Sequence, residues 1–205
     1  AFPYVTAAVP LHFYNTRRAC DRFPRAGGHK LIWEGCRLKK QFILAAVVAT
    51  VGGTALHFLY DVLPNPLVAL FAPVNESVWE HLKLLYWPTL AAALALSPLV
   101  DDKLRLWSGF LTALAAMPLF LLGLYYLLGA LGVKGLWVDI ALYYVTMGGG
   151  FRLAWYIDSR GRLTRAAPWL LMAVILYGAF LILFTFAAPD CAIFRAPPKT
   201  AAFLF

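Results

Sequence analysis

The side chains able to do chemistry fall in three short stretches of the 205-residue chain. In the first, Thr50, Thr54, His57 and Asp61 are spaced by 4, 3 and 4 residues, which sets them on one face of a helix. In the second, APVNESVWEHLKLLYWP at 72–88, Asn75, Glu76, Glu80, His81 and Lys83 follow one another closely. In the third, Asp139, Tyr143 and Thr146 again share a helical face. Imidazoles and carboxylates ligate divalent metals and move protons near neutral pH. His57, Glu80 and His81 are the expected ligands of a divalent ion, with Asp61 orienting a ligand histidine and Glu76 free to act as general base. The spacing matches no established ligand pattern such as HExxH, there is no GxSxG elbow, and Cys191 has no histidine close to it in sequence.

Each of these groups also has a purely structural reading. Carboxylates at Glu76 and Glu80 suit the first turn of a helix, where the dipole favours negative charge. Ser77-Val78-Trp79-Glu80 fits a capping box. Lys83 can extend to the headgroups or neutralise a glutamate, His57 with Asp61 can stiffen a helix end, and Asp139 can simply start a helix. Capping alone does not call for two histidines and four carboxylates, and that excess is what makes the cluster a candidate site.

The elements that must position these groups follow from composition. Sixty-two per cent of the residues are apolar and only 14% charged, with a mean hydropathy of +0.72, against about 25% charged in soluble domains. A 22.7 kDa globule cannot hide that much apolar surface from water, which excludes an ordinary soluble enzyme, a disordered chain and a coiled coil. A hydrocarbon core about 30 Å thick needs about 20 apolar residues as helix. Five runs meet that need: 41–63, 77–100, 106–133, 135–157 and 168–188. The expected fold is an all-α integral membrane protein, a bundle of five transmembrane helices over 37–188. A poorly ordered tail is expected at 1–36 and an extracytoplasmic tail at 189–205. Pro88 and Pro118 fall inside spans and predict kinks. Ala45, Ala49 and Gly53 form a strip of small residues, and Gly148-Gly149-Gly150 a second place for close helix approach.

The net charge of +8 would suggest nucleic acid in a soluble protein. Here the basic residues lie between apolar runs and set orientation instead. One side collects Lys30, Arg37, Lys39, Lys40, Lys103, Arg105, Arg152, Arg160, Arg162 and Arg165. The other has Lys83, Lys134, Arg195 and Lys199. Ten against four predicts a cytoplasmic N-terminus, an outside C-terminus, and a multi-pass protein of the cell membrane with the lipid bilayer as its partner. His57, Asp61, Glu76, Glu80, His81 and Asp139 then share the outer depth of the membrane. Cys20, Cys36 and Cys191 show neither disulfide-framework nor zinc-knuckle spacing.

The segments LHFLYD (56–61), NPLVALFAPVNESVWEHLKLLYWP (65–88), LWVDI (136–140) and FTFAAPDCAIFRAP (184–197) resemble a family of small multi-pass bacterial membrane proteins classified as a domain of unknown function. Its hallmark is the segment running here from Asn75 to Lys83. The resemblance covers roughly residues 40 to 197 and implies the membrane fold and location. By match it singles out His57, Asn75, Glu76, Ser77, Trp79, Glu80, His81, Lys83 and Asp139. The family's tail is acidic and glycine-containing after its phenylalanine, whereas Phe194 here is followed by Arg195-Ala196-Pro197-Pro198-Lys199.

Three functions compete on these residues. One is a membrane-embedded hydrolase or transferase acting on lipid or cell-envelope material, with a divalent metal as cofactor. A second is a small proton-coupled transporter, which would need polar groups deeper than Thr50 on the first span, where there are none. The third is a non-catalytic binding or accessory subunit that docks a partner through the NESVWEHLK segment.

Overall fold

The computed structural model describes residues 29–161 and 163–196, with side chains from residue 39 onward. Most of the expected N-terminal tail lies outside these residues, although α1 already begins at His29. The chain divides into a unit of residues 1–40 and a unit of residues 41–205. The packing described below belongs to the second.

Among the described residues every regular element is a helix. The long ones are α1 (His29–Val62), α3 (Val78–Leu96), α4 (Lys103–Ala130), α5 (Leu136–Arg160) and α6 (Ala167–Phe186), and a one-turn α2 (Pro66–Ala69) sits in the α1–α3 connection. Four stretches are long and apolar enough to cross a membrane: Lys39–Val62, Val78–Leu99, Lys103–Ala130 and Thr164–Phe186. The remaining expected span, α5, has the length without the apolarity. Asp139, Arg152, Asp158, Arg160 and the Gly148–Gly150 run interrupt its hydrophobic residues.

α4 and α5 form the most intimate pair, with α3 and α6 packed on α4. Leu106, Phe110, Ala113, Leu114 and Met117 of α4, Met147, Phe151 and Ala154 of α5, Leu82 and Ala93 of α3 and Leu181 of α6 are all buried, with Phe110 edge-on to Phe151 at 5.7 Å between ring centres. The outer surface is equally apolar, with Leu44, Val51, Leu119 and Ile175 all exposed. A bundle that is hydrophobic both inside and outside has the surface that a hydrocarbon solvent suits. Trp137 and Trp169, the first turns of α5 and α6, are largely exposed, as belt tryptophans are. Trp87 and Trp107 are instead tied inward, to the Leu70 carbonyl at 3.0 Å and the Ser97 hydroxyl at 3.3 Å.

Close helix approach depends on particular glycines. A Cβ at Gly109 would strike the Ala154 carbonyl of α5, and one at Gly150 the Met117 side chain. Gly148 and Gly149 face open space, so only the last residue of that run serves packing. On α1 the strip of small residues works as expected: a Cβ at Gly53 would meet the Tyr143 hydroxyl, the Leu84 carbonyl at 2.9 Å and Pro88 at 3.3 Å. Gly109→Ala is therefore expected to destabilise the bundle by about 1–3 kcal/mol through overpacking. Gly149→Ala should stabilise it by up to about 1 kcal/mol, the helix-propensity gain. Denaturant unfolding in detergent micelles measures both, and equal effects at the two positions would refute this packing.

Candidate functional site

The site is built on the connection between α1 and α3. Asn65 caps α2, its Oδ1 accepting the Leu67 and Val68 amides at 3.0 Å each. Asn75 forms a second such turn, its Oδ1 accepting the Ser77 amide at 2.8 Å. Ser77 caps α3, its hydroxyl accepting the Glu80 amide at 3.3 Å. This is half of the expected capping box. With the Ser77 amide already taken by Asn75, the Glu80 carboxylate turns elsewhere.

It turns into the protein. Glu80 is 2% exposed and Lys83 is fully buried, with Lys83 Nζ 2.6 Å from Glu80 Oε2. Oε2 also accepts the Val74 amide at 3.0 Å, and Oε1 lies 3.2 Å from the Thr185 hydroxyl of α6, whose one proton it shares with the Leu181 carbonyl at 2.8 Å. Lys83 donates onward to the carbonyl of Ala69, the last residue of α2, at 2.8 Å and to that of Ala72 in the loop beyond it at 3.4 Å. One ion pair thus binds the connecting loop, α3 and α6 together. Lys83 neutralises a glutamate and does not reach for the headgroups. Thr185 carries no local sequence signal for its role, because its partner lies on a remote helix.

With Glu80 locked inside, Glu76 takes the position beside the histidines. Glu76 Oε2 lies 3.4 Å from His81 Nε2, and Oε1 lies 3.8 Å from His57 Nε2. The two imidazole rings are 5.1 Å apart, centre to centre. One donor atom from each of His57, Glu76 and His81 falls within 4.8 Å of both others. The group that the structure gathers thus differs by one member from the set expected to hold an ion, with Glu76 standing beside the histidines where Glu80 was expected. The reason is position in the turn: residue 76 precedes the cap and stays at the rim, while residue 80 is carried round onto the buried face of α3.

The donor set suits a divalent ion. Bonds of about 2.0–2.2 Å in a tetrahedron put donors about 3.3–3.6 Å apart, so the observed separations need only modest closure. His81 Nδ1 lies 2.8 Å from the Ser77 carbonyl. A carbonyl can only accept, which puts a proton on Nδ1; Nε2 then offers its lone pair to a metal when the ring is neutral and donates to Glu76 when the ring is protonated. A backbone carbonyl holding the far nitrogen is the usual support of a metal-bound histidine. The His81 hydrogen bond holds the Glu76 carboxyl below the usual carboxylate range; partial burial opposes the shift, and the charges of His81 and His57 add to it. Glu76 is 64% exposed and the histidines are partly exposed, so the three donors open outward on one side.

The other expected residues stand around this group. His57 Nδ1 is buried without a hydrogen-bond partner among the described residues. Asp61, exposed one turn further along α1, reaches His57 through its charge. Asp139, exposed in the first turn of α5, likewise acts on His81. Tyr143 donates to the Thr50 carbonyl at 2.9 Å and joins α5 to α1. Thr50 and Thr54 bond back to the carbonyls of Ala46 and Thr50 within α1 and leave the site to His57. Trp79 packs on Phe184 and on Phe194 of the C-terminal segment, at 5.5 and 4.9 Å between ring centres.

A family model described as a family of unknown function, DUF6512, matches residues 33–199. The chain belongs to that family. The match takes in every DUF6512 residue discussed above, from His57 to Phe194. No curated protein and no solved structure matches the chain.

Proposed function

We propose that this DUF6512 protein is a five-pass membrane metalloprotein, with His57, Glu76 and His81 holding a divalent ion at the outer rim. In this reading it is a hydrolase or transferase acting on lipid or envelope material. The supporting observation is the meeting of two imidazole nitrogens and one carboxylate from α1, the connecting loop and α3. Two histidines and a glutamate with the remaining positions open is the donor set of catalytic zinc sites, whereas structural zinc sites close all four positions. A bound ion would supply Lewis acidity there. Ser77 would hold His81 in the ligating tautomer, and Asp61 and Asp139 are the carboxylates left free to take a proton. The Lys and Arg distribution supports a cytoplasmic N-terminus and an outside C-terminus. α5 serves as the fifth span, with its charged residues toward its two ends.

Metal analysis of the protein purified in detergent tests the centre. One equivalent of zinc or manganese is expected for the natural sequence and for Asp61→Asn. His81→Ala and Glu76→Gln should bind about 100-fold more weakly or worse, since losing even a supporting partner costs about 10–100-fold. Absence of stoichiometric metal from the natural sequence would retire the proposal.

A further inference from the structure

Resting on the metal reading above, we propose that the centre takes a phosphate-ester headgroup carrying an ammonium, of the phosphoethanolamine type, and that a lipid presents it from the side of the bilayer. The first support is depth. His57 lies five residues before the end of the Lys39–Val62 stretch, and His81 three residues after the start of Val78–Leu99. At 1.5 Å per residue these are about 8 and 5 Å from the helix ends. The interfacial layer on each side of a bilayer is of similar thickness, and the phosphates lie in it.

The second support is the surface around the donors. Phe58 stands edge-on to His57 with ring centres 4.9 Å apart, and it is 57% exposed. Val62, Leu67 and Phe71 are exposed along the connection that leads from His57 to Glu76, and Leu67 is 74% exposed. Leu136 and Trp137 are exposed beside Asp139, Trp137 at 75%. A water-facing catalytic mouth bordered by this much apolar side chain would be costly, whereas the same side chains in the interface anchor the rim among acyl chains. The open side of the donor group is then reached laterally, by molecules already in the membrane.

The third support is charge. A divalent ion with the Glu76 carboxylate and two neutral imidazoles carries a net single positive charge, which calls for an anionic oxygen ligand. Asp61 and Asp139 add negative charge beside the histidines. They would repel a purely anionic ligand and attract a cation attached to it. A cationic centre flanked by carboxylates complements a zwitterion, with its phosphate on the ion and its ammonium against Asp139.

Cobalt(II) bound in place of the natural ion reports on its own ligands through its visible absorption bands, without any need for turnover. Cobalt-loaded protein in maltoside micelles is titrated with dihexanoyl phosphatidylethanolamine, dihexanoyl phosphatidylglycerol and free phosphoethanolamine. The ethanolamine lipid is expected to shift the bands at concentrations at least 10-fold lower than either of the others. Asp139→Asn should remove the preference over phosphatidylglycerol, and Leu67→Asp the preference over free phosphoethanolamine, each with the cobalt bands intact. Equal midpoints for the two lipids overturn the zwitterion, and equal midpoints for lipid and free headgroup overturn lateral capture. Bands that respond to none of the three overturn the proposal while sparing the metal centre. Failure to bind cobalt at all removes both.

Discussion

Lys83→Met is expected to cost the bundle about 3–5 kcal/mol, the range observed when one partner of a buried ion pair is removed. The cost arises because Glu80 stays behind. Its carboxylate is buried with the Val74 amide and the Thr185 hydroxyl for company, and neither carries a positive charge. The variant also strips the Ala69 carbonyl of its 2.8 Å donor and loosens α2 at the same time. Thr185→Val provides the scale, since it removes one hydrogen bond to the same carboxylate and should cost about 1 kcal/mol. Denaturant titration of both variants in mixed micelles separates the two magnitudes. A Lys83→Met loss no larger than that of Thr185→Val would mean that the pair does not anchor the loop. The loop carries Glu76, so the prediction bears on the proposed site: a loosened connection also spreads the group formed by His57, Glu76 and His81.

Metal affinity should fall steeply as the pH drops below neutrality, approaching about two decades per pH unit. A ligating imidazole must be unprotonated, so each histidine that takes up a proton withdraws one ligand. The two losses multiply. The sign is fixed by the chemistry, because protons and metal compete for the same lone pairs and affinity rises with pH until both rings are neutral. Glu76 adds little over this window. Its carboxyl is held below the usual carboxylate range by His81, so it is ionised throughout, and its own loss of affinity comes only at still lower pH. Isothermal titration with zinc at several pH values measures the slope. A fall of two decades per pH unit is expected at the acid end, where two protons leave per ion bound. A flat profile would exclude the histidines as ligands.

The tertiary structure added most where a side chain's partner lies far away in sequence. Thr185 completes the Glu80 pocket from 105 positions downstream, and Tyr143 reaches the Thr50 carbonyl across 93. No local pattern announces either contact. Gly150 and Gly148 look alike in the chain, yet only one meets a neighbouring helix, because residues two apart on a helix point about 200° away from each other.

The residues alone determined that the chain is helical and apolar enough for a membrane, and that His57, His81 and Asp139 fall toward helix ends with Glu76 just ahead of one. These are properties of composition, period and spacing, which survive without knowledge of neighbours. Only the folded chain decided which carboxylate joins the histidines. Glu76 and Glu80 are four apart, equally acidic and equally suited to a first helical turn. They part company because the Ser77 cap starts α3 between them: Glu80 rotates onto the face that Lys83 and α6 bury, and Glu76 is left at the rim with two imidazoles.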